Sequence, residues 1–347
     1  MAAPQLVKAG LLTLILVTTS VVSWELYVRH KGYDICYDDG GPIWADKRAM
    51  VYEPADKATI FIGSSRIKFD LDIDTWQSIT GDHAIQLSCV GSTPIPQLKD
   101  LADDTNFKGK LIIDVTEILF FSLAPPTAST PETDIKYYKD RTPAQRASFF
   151  LDHAAESKLV FLDKDRLSLN AELAKLQIPN RPGVFEFPLF PPGFGRVKFS
   201  RQEYMTDAFT KDSSQINQVR GVWSFVQKMM KGPPLAGPPL DSLFGVVKTC
   251  VDKIKARGGT VLFTRTPSSG PFLIGEKMGY PREKYWNRLL AITNCPGIYF
   301  EDYPAIAHFQ CPEFSHLCQP DAIIYTKNLI KILSEEKGWK FPKTIQP

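Results

Sequence analysis

Three stretches of the chain contain three consecutive apolar residues, without alternation: Ala58-Thr59-Ile60-Phe61-Ile62, Lys110-Leu111-Ile112-Ile113-Asp114-Val115 and Thr260-Val261-Leu262-Phe263-Thr264. Such non-alternating apolar runs in short stretches predict strands buried on both faces, as in a parallel sheet covered by helices. A fourth run, Gly297-Ile298-Tyr299-Phe300, reads as the last strand. Between and after these runs the period lengthens to that of a helix. Residues 241–257 form an amphipathic stretch closed by Gly258-Gly259, and residues 282–293 carry Tyr285, Trp286, Leu289 and Leu290. Ile323, Leu329, Ile330 and Leu333 mark a final amphipathic helix. Strands alternating with helices predict an α/β fold with a central parallel sheet.

The rhythm fails between residues 123 and 245. Prolines at 125, 126, 131, 179, 182, 188, 191 and 192, and again at 233, 234, 238 and 239, punctuate helical stretches at 144–176 and 214–231. This region reads as an insertion forming a lid or one wall of a cleft. Phe185, Phe187 and Phe190 either pin its loop to the body or contact substrate, and pinning is the commoner use of such residues.

A different pattern opens the chain. No charge occurs from Ala9 to Trp24. Sixteen helical residues reach about 24 Å, short of a hydrocarbon core of roughly 30 Å, and Leu26, Tyr27 and Val28 extend the stretch past Glu25. Residues 1–31 therefore read as an uncleaved membrane anchor, with a cleaved signal segment as the alternative, and 32–347 as one large domain. With 44% hydrophobic and 12% aromatic residues, the remainder is foldable rather than disordered. A net charge of +3, from 41 basic and 38 acidic residues dispersed along the chain, offers no footprint for nucleic acid. The five histidines form no metal-spaced cluster, and neither a metal nor a cofactor is expected. There is no Gly-x-Ser-x-Gly elbow, phosphate-binding glycine loop or His-Glu-x-x-His.

Candidate chemistry lies at the two ends of the domain. The first strand stops at Gly63-Ser64-Ser65, and Glu313-Phe314-Ser315-His316 precedes the final helix. A serine hydroxyl is a weak nucleophile until a histidine takes its proton and a carboxylate orients that histidine. The pairing resembles the SGNH hydrolases, or GDSL family, whose nucleophile follows the first strand and whose histidine stands three residues after an acid near the C-terminus. The resemblance implies a three-layer α/β/α sandwich of flavodoxin-like kind, with Ser65 as nucleophile, His316 as base and Glu313 as orienting acid. It also implies an oxyanion site: the Ser65 and Gly91 backbone N–H groups, with Thr116 standing where the family carries an asparagine. Ser64 and Glu313 each replace a family aspartate.

Other polar residues have candidate roles. Arg265, at the end of a strand, and Arg66, beside Ser65, are candidate substrate contacts; for Arg265 a structural salt bridge is the alternative. Asp302 is a reserve carboxylate. Ser268 and Ser269 have turn composition and no triad context. Six cysteines permit disulfides if the body is extracytoplasmic, and one between Cys311 and Cys318 would close the loop around His316.

With the N-terminal segment, the resemblance implies an anchored, extracytoplasmic serine esterase or acyltransferase acting on O-acyl esters of cell-surface glycans or envelope polymers. A membrane-bound acyl-transfer partner is compatible with that reading. The alternative is a non-catalytic envelope protein that keeps the fold as a glycan-binding or scaffold module.

Overall fold

Strands β1 (Ala58–Ile62) and β3 (Lys110–Asp114) are buried at every position, which is why each carries an apolar run without alternation. In the computed structural model they lie side by side at the middle of a five-stranded sheet. Strand β2 (His83–Gln86) flanks β1, and β6 (Thr260–Arg265) flanks β3, with β7 (Gly297–Tyr299) beyond it. The order is β2-β1-β3-β6-β7 and every pairing is parallel. A separate antiparallel pair joins β4 (Arg196–Val197) to β5 (Glu203–Tyr204). The structure describes residues 3–343 except 175, 177–180, 182, 186, 230 and 231. Pro179, Pro182 and the end of the expected helix at Lys231 lie outside the described residues.

The chain divides into two compact units. The larger comprises Asp39–Arg141 and Glu186–Pro347 and contains the sheet. Within it, helix Gln319–Glu335 packs on Ser65–Asp70 and Ile73–Thr80, whereas helix Pro238–Ala256 packs on Ile95–Asp103 and Arg288–Thr293. Helix Pro125–Asp140, with Pro131 inside it, packs on Gly41–Ala49 and Ile95–Asp103. The smaller unit comprises Met1–Asp38 and Thr142–Phe185. It contains the helix Ala3–His30, long and apolar enough to cross a membrane. The stretch expected as one or two helices over 144–176 breaks there into Pro143–Glu156, Val160–Leu162, Lys164–Leu167 and Leu169–Ala174.

Sheet topology selects a place for ligands. The chain runs from β1 outward to β2, then returns past β1 to β3. The connections after β1 and β3 therefore leave in opposite directions and open a crevice at the strands' carboxyl ends. Gly63-Ser64-Ser65 follows β1 and Thr116-Glu117 follows β3, so both turns border that crevice. Their close approach needs a glycine: a Cβ on Gly63 would lie 2.7 Å from Asp114 Cβ and 2.8 Å from Ile67 Cγ2.

Candidate active site

Beyond Gly63 the backbone stays extended at Ser64, and the helix Ser65–Asp70 begins at once. Ser65 is thus the first residue of a helix that starts at the mouth of the sheet. Its Oγ lies 2.8 Å from His316 Nε2. His316 Nδ1 lies 3.0 Å from Glu313 Oε1, which also accepts from the backbone N–H groups of His316 at 2.6 Å and Ser315 at 3.3 Å. The other carboxylate oxygen, Oε2, accepts from Trp223 Nε1. Four N–H groups converge on Glu313, so its carboxylate acts wholly as an acceptor. With Nδ1–H donating to Glu313, His316 Nε2 is left to accept the Ser65 hydroxyl proton. Glu313 is fully buried and His316 nearly so, while Ser65 is half-exposed; the relay is therefore open at its nucleophile end.

The histidine loop is clamped from both sides. Ser269 Oγ donates to the Cys311 carbonyl at 3.2 Å and accepts from Cys311 N–H at 3.1 Å, and Ser269 N–H donates to the Phe314 carbonyl at 3.0 Å. On the other side Asp70 Oδ1 accepts from Leu317 N–H at 2.9 Å. Phe314 holds a left-handed backbone, φ 82°, an expensive conformation for a bulky side chain that places Glu313 and His316 on the same side of the turn. Its ring packs where a Cβ on Gly270 would fall, 2.8 Å from Phe314 Cδ1.

The insertion reaches this loop through helix Ser213–Met229. Two residues one turn apart do so. Arg220 Nη2 donates to the Pro312 carbonyl at 2.6 Å and its guanidinium lies 4.3 Å from the Phe314 ring centroid, while Trp223 binds Glu313. Phe69, Phe194 and Trp223 surround the His316 ring at centroid separations of 4.4, 5.8 and 5.9 Å. Phe187 packs on Phe225, and Phe190 on Phe194 and Trp223, so these two pin the proline-rich loop to that helix. Phe185 belongs to the smaller unit. Trp223→Phe keeps the ring and removes the N–H. Where the Ser65–His316–Glu313 arrangement turns over an ester, the variant should slow it roughly tenfold to a hundredfold, the rate equivalent of one charge-assisted hydrogen bond. Unchanged kcat in a correctly folded variant would show that Trp223 does not position the acid.

The remaining candidates fall elsewhere. Arg66 and Arg265 are buried in a charged cluster with Glu117 and Glu276. Arg66 Nη2 and Arg265 Nη2 each donate to Glu276, Arg265 Nε donates to Glu117 Oε1 at 3.0 Å, and Ser268 Oγ donates to Glu276 Oε2 at 2.7 Å. Burial alone would raise the Glu276 carboxyl, but the two guanidinium groups outweigh it and hold that carboxyl below its ordinary value. The structural salt bridge is thus the arrangement found for Arg265. Asp302 forms a bidentate surface pair with Arg282. The possible Cys311–Cys318 disulfide is not formed: Cys311 Sγ donates to the Pro267 carbonyl and Cys318 Sγ to Asp321 Oδ2. Burial raises both thiols and so keeps them protonated near neutral pH. Among the described residues no group of His, Cys, Asp or Glu is placed to hold a metal ion.

Thr116 supports the Gly63-Ser64-Ser65 turn. Its Oγ1 donates to Asp114 Oδ2 at 3.0 Å and lies 2.7 Å from Ser64 Oγ, which donates to it. Gly91 lies in an exposed left-handed turn, φ 62°, at the end of a block that begins when Cys89 N–H donates to the Gly63 carbonyl at 3.3 Å. Beneath Thr116, burial pushes the Asp114 carboxyl up to about 6, although Arg66, Thr116 and Thr266 oppose the rise. An acid raised in the folded state stabilises it below the unfolded value near 4, and that stability is lost as pH rises through about 6. Asp114→Asn removes the ionisation, so the variant should gain roughly 2–3 kcal/mol relative to the parent between pH 4 and pH 7. Denaturant unfolding at the two pH values measures this, and a pH-independent difference would rule it out.

No family model matches the sequence, and no curated protein matches it closely enough to count as a relative.

Proposed function

We propose that this protein is a serine esterase or acyltransferase of SGNH type, with its helices forming the two outer layers of an α/β/α sandwich. The carrying observation is the unbroken hydrogen-bonded chain from Ser65 Oγ through His316 to Glu313 at the carboxyl edge of a parallel sheet. The two separate groups of packed helices support the three-layer arrangement. Ser65 attacks an ester carbonyl while His316 Nε2 takes its proton. The tetrahedral oxyanion is met by backbone N–H groups at Ser65, which as a first helical residue has no intrahelical acceptor, and at Gly91. His316 returns the proton to the departing alcohol, leaving an acyl-enzyme on Ser65. Water or a sugar hydroxyl, activated by the same histidine, then releases the acyl group.

The substrate class that fits is an O-acylated glycan or other envelope polymer. Its support is the apolar N-terminal helix, which would hold an extracytoplasmic body at the membrane beside a membrane-bound acyl donor or acceptor. One observation favours the non-catalytic alternative: the Thr116 hydroxyl, standing at the family's asparagine position, is already engaged by Ser64 and Asp114. Hydrolysis of p-nitrophenyl acetate by the purified chain separates the two readings. Turnover above background that requires Ser65 supports the enzyme. Background rates from a folded protein support the scaffold.

A further inference from the structure

Helix Pro143–Glu156 has its own start signal, a capping box in which Thr142 and Gln145 exchange side-chain-to-backbone bonds, yet not one of its 14 residues is buried. Phe149, His153 and Glu156 are half-buried on one side. Ala147, Phe150, Leu151 and Ala154, spaced i, i+3, i+4 and i+7, form an apolar stripe on the other, and Phe150 and Leu151 are 71% and 67% exposed. The same unit exposes Leu169 at 75%, Leu173, Leu176 and Val184. So much outward apolar surface in one small unit marks an interaction face.

The occupant follows from where this segment is tied. Glu25 accepts from the backbone N–H groups of Val160 at 3.0 Å and Phe161 at 3.1 Å, and Arg29 donates to the Lys158 carbonyl at 2.7 Å. Glu25 is the first charge after the uncharged stretch from Ala9 to Trp24, and Trp24 stacks with Tyr27 just there at 5.5 Å. A Trp–Tyr pair at the boundary between uncharged and charged helix is the usual mark of the membrane–water interface. The helix residues before it have no cover from the protein. Backbone bonds therefore fix residues 158–161 at the depth where a spanning helix leaves the bilayer.

We propose that the outward face of Pro143–Glu156, with Leu169, Leu173, Leu176 and Val184, lies in the headgroup–acyl boundary of the membrane that Ala3–His30 crosses, as a second contact parallel to the surface. This rests on the anchor reading of Ala3–His30 and is independent of catalysis. Lipid fits better than a second protein copy because the face is attached to the one helix whose own surface calls for lipid.

The test uses the full chain in phosphatidylcholine–phosphatidylglycerol vesicles, with an environment-sensitive NBD label on Leu151→Cys or, across the same helix, on Asp152→Cys. The unsubstituted chain serves as the blank for the native thiols. NBD at 151 should shift to the blue and lose most of its emission to shallow doxyl-labelled lipid, while NBD at 152 stays open to aqueous iodide. Equal iodide access at both positions in chain that resists carbonate extraction overturns the face and leaves the anchor standing. Shielding at 151 without quenching by doxyl lipid indicates a second copy or the protein itself as cover and also overturns it. Release of the chain by carbonate overturns the anchor and the face together.

Discussion

Ser65→Ala and His316→Ala are each expected to lower ester turnover by about 10⁴–10⁶-fold, and the double variant by little more than either alone, because the two groups act as one unit. The reason is geometric. Ser65 Oγ has one base within reach, His316 Nε2 at 2.8 Å, and that base is fixed by a carboxylate which four N–H groups hold in place. Removing either end leaves only binding and backbone N–H groups to lower the barrier. Steady-state kinetics with p-nitrophenyl acetate, alongside unfolding curves to show that the variants remain folded, reads the effect. Single variants keeping a tenth of parental activity would remove these residues from the reaction.

The second large effect concerns stability. Glu276→Ala and Arg265→Ala should each destabilise the detergent-solubilised chain by about 3–5 kcal/mol, the usual consequence of removing one member of a buried ion cluster. Glu276 receives Arg66, Arg265 and Ser268 together, so its loss leaves two buried guanidinium groups with Glu117 as their one remaining carboxylate in the cluster. Arg66 follows Ser65 directly and also donates to Ser315 Oγ at 3.3 Å, so the disturbance should reach both halves of the relay. Denaturant unfolding measures the loss, and a change below about 1 kcal/mol would show that water reaches and rescues the stranded charges.

What the sequence revealed and concealed follows from burial. Strands β1, β3, β6 and β7 were legible because parallel strands covered on both faces carry apolar runs without alternation, and β1 matches its expected bounds at both ends. Strand β2, His-Ala-Ile-Gln, escaped because it is short and begins with an exposed histidine. The helix expected over 282–293 appears as a π-turn, Glu283–Asn287, followed by Arg288–Thr293, a distinction periodicity cannot draw. Ser65, Glu313 and His316 could be paired because a Gly-Ser-Ser turn after a strand and an acid three residues before a histidine in the loop ahead of the final helix supply complementary chemistry in a resembling order. Trp223 could not, since its bond to Glu313 spans 90 positions and comes from a helix whose pattern records only its packing. Arg66, beside Ser65, and Arg265, at the carboxyl end of a strand, were candidate ligand contacts because a charged residue near the mouth of the sheet has the same sequence appearance whether it faces a crevice or a buried counterion. The cysteines next to His316 were close enough in sequence to bridge, yet each thiol points to its own polar partner.

The central claim is that Ser65 is an activated nucleophile, and a fluorophosphonate probe tests it without knowledge of the natural ester. The full chain is treated with the probe beside Ser65→Ala and His316→Ala, and the modified peptide is located by mass spectrometry. The account predicts a single adduct on Ser65 that is absent from both variants. An unlabelled parent protein with intact folding, or an adduct that persists without His316, would contradict it.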